Sequence, residues 1–162
     1  MINLLLRAMS AVKSAQSTRV VVAGAKQTVE KLGTSLRDAR EVLVEREYQK
    51  ACQGDAAAQY AMGERCYDGL GVAKDYFQAA QWFIMAAGQN YPMAQRNLGM
   101  MYVLGRGVDK DLVEGCKWLQ LAASRGDPAA GTTLRKVQPR LSPEELKEAE
   151  TRVHDFRPKQ GR

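Results

Sequence analysis

The sequence predicts an all-α protein, a short α-solenoid of helical hairpins with a capping helix on each flank. Three observations predict it. Residues 63–87 match residues 99–123 at one constant offset of 36. Each copy holds a Gly-x-Gly turn between two stretches of helical length. An aspartate follows each turn where a second helix would begin.

The first 34 residues read as an irregular helical segment. Ile2–Leu6 and Val20–Ala25 are short apolar runs, and Gly24 and Gly33 can break a helix. Neither run approaches the roughly 20 residues needed to span a bilayer. Nothing basic precedes the first run, so a secretory leader is not expected, and a cytoplasmic address follows, with a periplasmic or secreted one as the alternative. A weak membrane contact through an amphipathic N-terminal segment is the less favoured use of these residues.

Residues 35–55 read as an N-terminal capping helix, with Leu36, Ala39, Val42 and Leu43 near one stripe. Ala51 is in step with Ala87, and Gly54-Asp55 with Gly126-Asp127 two periods on, whereas Arg46 stands where Trp82 would be. The segment therefore reads as a degenerate second helix.

Residues 56–137 hold the repeats: two full copies, 56–91 and 92–127, and the first helix of a third. Gly63 meets Gly99, Gly69 meets Gly105, Gly71 meets Gly107, Asp75 meets Asp111, and Trp82 meets Trp118. Ala58, Ala94 and Ala130 are also in step, as are Met62, Leu98 and Leu134. Internal repetition of this period signals stacked supersecondary units, none of which buries its apolar face alone. The turn glycines suit positive φ or close backbone approach. Asp75 and Asp111, with Gln78 and Glu114 three residues on, have the spacing of helix caps. Second helices are expected over about 76–87 and 112–124, with Trp82 and Trp118 as their core anchors. Asp127-Pro128 reads as a cap followed by proline in the first turn.

Residues 138–157 read as a C-terminal capping helix. Ser142-Pro143-Glu144-Glu145 is a capping box with proline in the first turn, and Leu141 can staple to Leu146. The tail from 158 to 162 is expected to fray.

The pattern Leu98-Gly99-x-x-Tyr102-x-x-Gly105-x-Gly107-Val108-x-x-Asp111, then Trp118 and Ala122-Ala123, resembles the Sel1-like repeat, a relative of the tetratricopeptide repeat. The first copy departs by placing Met62 and Cys66 where the second has Leu98 and Tyr102. The resemblance implies a scaffold or adaptor that binds a protein or peptide, commonly in bacterial signalling, envelope or host-interaction settings. It also implies that partners bind along the concave side lined by first helices. On those helices the positions outside the matched core are Tyr60, Glu64 and Tyr67, then Arg96, Met100 and Val103. Tyr, Met and Arg are enriched at protein interfaces, so these six are the candidate partner-binding residues.

Other classes find less support. The net charge is +6, and residues 1–50 hold nine basic against five acidic side chains. No Lys/Arg run or aromatic-studded basic strand points to nucleic acid. Cys52, Cys66 and Cys116 are widely spaced, and His154 is the sole histidine, so no zinc site of standard spacing can be assembled. Three free thiols in a reducing compartment is the expectation. The Gly-x-Gly turns lack the further glycine and the Lys-Ser/Thr of phosphate loops. No nucleophile stands beside His154 in sequence. Some cysteine-rich members of the resembling family carry a β-lactamase-type label, and they pair cysteines within each repeat, which this chain does not. No catalytic residue, cofactor or metal is expected.

Overall fold

The computed structural model describes residues 26, 28, 30–35 and 40–159. The chain divides into two compact units, residues 1–42 and 43–162. The described residues of the first unit are helical. The apolar runs within residues 2–25, and any membrane contact they make, lie outside the described residues, as do residues 160–162.

The second unit is built from helices, with no strand among the described residues. Residues 43–52 are helical (α1). Then come α2 (Ala56–Asp68), α3 (Tyr76–Gly88), α4 (Pro92–Leu104), α5 (Leu112–Ser124), α6 (Pro128–Val137), a 3-10 turn (Gln138–Arg140) and α7 (Pro143–His154). From α2 to α6 each helix packs on the next, and α7 returns to pack on α5.

Local chemistry explains where these helices start and stop. The Asp75 carboxylate accepts from the Gln78 amide at 3.0 Å, and Asp111 from the Glu114 amide at 2.9 Å. Each satisfies one of the orphan donors of a helix N-terminus. Asp55 and Asp127 do the same for α2 and α6. At the other end, Gly69 and Gly105 close α2 and α4 in the left-handed region. Ser142 and Glu145 form the reciprocal capping box of α7. Leu141 is buried in the cluster against which Leu146 packs.

The 36-residue period is visible in the backbone bonds. Asp55 N–H donates to Lys50 O, Tyr91 N–H to Ala86 O, and Asp127 N–H to Ala122 O, all at 3.1 to 3.2 Å. The Gln59 amide donates to Ala51 O, and the Gln95 amide to Ala87 O. In these bonds residues 43–52 stand to α2 as α3 stands to α4.

Within each hairpin a glycine of the first helix is set against a large side chain of the second. A Cβ on Gly63 would lie 2.5 Å from the Phe83 ring, and one on Gly99 would lie 2.9 Å from Leu119 Cγ. Phe83 and Leu119 are themselves one period apart and almost fully buried. The tryptophans share the interior with these two side chains but do not fill the glycine notches: each lies one residue to the side, Trp118 within the core and Trp82 packed against it. Trp118 is buried, with its ring edge-on to Phe156 at 5.3 Å. Trp82 is half-buried against Ala51, Ala58 and Met62, edge-on to Tyr48 at 5.9 Å. The swap of Tyr102 for Cys66 leaves the frame intact: Asp75 N–H donates to Cys66 O at 2.8 Å, as Asp111 N–H does to Tyr102 O at 3.1 Å.

Candidate partner-binding face

The six residues expected to bind a partner do not form one face. Tyr60 and Val103 are only 7% and 6% exposed, which removes them from any preformed surface. The Tyr60 ring packs on Phe83 at 5.8 Å and Tyr91 at 5.1 Å. Its hydroxyl donates to the exposed Glu64 carboxylate. Burial, and then that bond, push the phenol pKa well above its ordinary value. Val103 packs inside the second hairpin, 2.8 Å from where a Cβ on Gly115 would sit.

Arg96 is engaged in the stack. Its guanidinium donates to both oxygens of Asp127, at 2.9 and 3.3 Å. That carboxylate is nearly buried and already caps α6, so the cation balances a charge that would otherwise be costly to bury. Arg96 is one period after Tyr60, and Asp127 one period after Tyr91. The same inter-repeat joint is therefore made by two rings in the first copy and by an ion pair in the second.

Tyr67 and Met100 do come together. With Asn97 and Leu104 they line a cleft of about 200 Å³ between α2 and α4. Arg106 of the second turn donates to the Tyr67 hydroxyl at 2.7 Å, and its guanidinium lies 5.7 Å from the centre of the Tyr76 ring. Tyr67 and Tyr76 meet edge to face at 4.9 Å, with Lys74 on the Tyr76 ring at 5.0 Å. Asn97, Leu104 and Arg106 were not singled out in the sequence. Helical spacing from Met100 points to the first two (97, 100, 104). Arg106 carries no local signal, since its partner lies 39 residues away.

The chemistry of the face is apolar contact plus hydrogen bonding. Among the described residues no cluster of three or more His, Cys, Asp or Glu could hold a metal ion. His154 is exposed at the end of α7 and meets Asp155 at 3.2 Å. Cys66 and Cys116 are buried and Cys52 exposed, all unpaired. Burial pushes both buried thiols above their ordinary pKa. No helix among the described residues is long and apolar enough to cross a membrane.

Comparison with known proteins agrees with this architecture. The Sel1 repeat family model matches residues 56–91 and 92–127. The chain is similar to a solved structure of c5321, a protective antigen of uropathogenic Escherichia coli with an SLR fold. Identity is 32%, the TM-score is 0.68, and the match covers 72% of this chain and 25% of that one. A Sel1 repeat protein from Oxalobacter formigenes matches at 40% identity and a TM-score of 0.56, over 56% of this chain and 26% of that one. Chitin synthase regulatory factor 3 of Schizosaccharomyces pombe is 45% identical over 51 residues, which are 32% of this chain and 6% of that protein. The chain thus spans about a quarter or less of the length of each relative. Sequence period, hairpin geometry and family match coincide on the same boundaries: residues 56–127 are two Sel1 repeats in a helical-solenoid fold.

Proposed function

We propose that this protein is a non-catalytic scaffold or adaptor that captures a protein or peptide segment on its first-helix face, in bacterial signalling or regulation. The observation that carries the reading is the cleft lined by Tyr67, Asn97, Met100 and Leu104, with Arg106 bonded at its edge. Aromatic, Met and Arg side chains beside exposed leucine are the composition of an interface core. Sel1 repeat proteins generally mediate protein–protein interaction, and the similarity to a regulatory factor supports a regulatory setting. Three unpaired thiols support a reducing compartment, hence a cytoplasmic address. Similarity to the E. coli antigen favours a second reading, an envelope- or host-directed interaction protein of the same binding chemistry. Fractionation of the producing cell separates the two.

The binding test uses Met100→Ala with Leu104→Glu, which cuts back the apolar wall of the cleft and places a charge in it without adding an acid beside Arg96. Helical content is expected to stay, while Kd for a partner isolated with the wild-type chain rises by roughly tenfold or more. Unchanged Kd in the folded variant would remove this face from consideration.

A further inference from the structure

The two repeats differ in what covers the flank of their second helix. In the second repeat the chain covers itself. Phe156 lies edge-on to Trp118 at 5.3 Å. Arg152 donates to Glu114 at 2.9 Å and reaches Asp111 at 3.5 Å. Lys159 N–H donates to Gly88 O at 2.8 Å, so residues 152–159 cross from α5 to the end of α3. Val153 and Phe156 join the apolar cluster that contains Trp118 and Leu121.

One period earlier no described residue covers the same place. A cavity of about 550 Å³ is lined by Met62, Cys66, Val72, Trp82 and Met85, with Tyr48 at its side. Leu121 is 6% exposed under the chain's own segment, whereas Met85, its equivalent, is 41% exposed. The acceptors that hold Arg152 also have counterparts. Asp75 stands for Asp111 and Gln78 for Glu114, while Gln81 replaces Lys117 and so removes a cation. Glu45 adds a carboxylate to the lining.

We infer that the first-repeat groove is a second docking site, for a partner's helix end that presents an arginine with an aliphatic residue beside it and an aromatic residue four positions on. The chain's own Arg152-Val153-x-x-Phe156 is the internal copy of that ligand. The aromatic ring meets Trp82, the aliphatic side chain meets Met85, and the guanidinium meets Asp75 and Gln78. This site is separate from the first-helix cleft and does not depend on it.

The probe is a synthetic peptide with the sequence of residues 147–159, added unlabelled to the full chain carrying labelled tryptophan. The two indole N–H resonances are assigned with Trp82→Phe and Trp118→Phe. The expected result is a saturable shift of the Trp82 resonance at sub-millimolar peptide, with Trp118 unmoved. Peptides bearing Arg152→Ala or Phe156→Ala should bind roughly tenfold more weakly, and Met85→Glu in the chain should abolish the shift. A Trp82 resonance that stays still up to about 1 mM peptide would overturn the proposal. So would a shift of Trp118 alone, which means exchange with the chain's own segment. Movement of Trp82 with protein concentration alone, before peptide is added, would assign the groove to a second copy and equally overturn it.

Discussion

Gly107→Ala is expected to destabilise the repeat stack by about 4 kcal/mol, the sum of a strained backbone and an unrelieved overlap. Gly107 has φ +70°, in the left-handed region that L side chains rarely enter. A Cβ there would lie 2.1 Å from Tyr76 O and 2.9 Å from the Phe77 amide nitrogen. Both are backbone atoms of the first turn of α3, so the overlap cannot be relieved by turning a side chain. Gly71 is its equivalent, with φ +78°, and its added Cβ would meet Val44 Cγ2 at 3.1 Å, the end of a side chain that can shift. Gly71→Ala should therefore lose only the conformational part, about 1–2 kcal/mol. Thermal melts compare the two directly. For a chain of this size the Gly107 variant should melt roughly 10 °C lower, and the Gly71 variant should lie well between it and wild type. Equal melting points would mean that the turn of the second repeat does not press on α3.

Phe83→Ala is the second large effect, with an expected loss of about 3–5 kcal/mol. Phe83 is 1% exposed, and its ring fills the space left by the missing side chain of Gly63. Removing it leaves a cavity in a hairpin that cannot close further, because the helices are already at glycine distance. Trp82→Ala is expected to cost less, about 1–2 kcal/mol, because half-burial returns only part of the apolar area to water. Denaturant titration of both variants ranks them. The order Phe83 above Trp82 follows from the pivot lying one residue past the tryptophan.

That ranking also separates what identity between the copies reveals from what it hides. The tryptophans draw attention because they are identical in both copies. The pivot is Phe in one and Leu in the other, and identity matching passes over it, although any large apolar side chain can fill a glycine notch. The caps were legible for the opposite reason. Asp75, Asp111, Asp127 and Ser142 act on amides three residues away, so their chemistry is local and readable from spacing. The helix ends agree within a residue or two, with α7 ending at His154 rather than near Phe156.

The candidate site was less legible because its fate is decided by non-local partners. Tyr60, Glu64 and Tyr67 share a stripe on one helix, but α2 is an inner helix with neighbours on more than one side. Its stripe narrows to what the neighbours leave uncovered, and Tyr91 covers Tyr60. Arg96 reads as a surface cation until Asp127, 31 residues away, is placed beside it. The first-repeat groove was not anticipated. Its signal is a difference between copies, Met85 for Leu121 and Cys66 for Tyr102, which becomes meaningful only once residues 152–159 are seen over the second copy.

The pairing of Gly63 with Phe83, and of Gly99 with Leu119, is the measurement on which all of this rests. Proton–proton Overhauser contacts in the full chain test it. Strong contacts from the Phe83 ring to the Gly63 α-protons, matched by contacts from the Leu119 methyls to those of Gly99, are the predicted result. Contacts from the Trp82 and Trp118 indoles to those glycines in their place would contradict it.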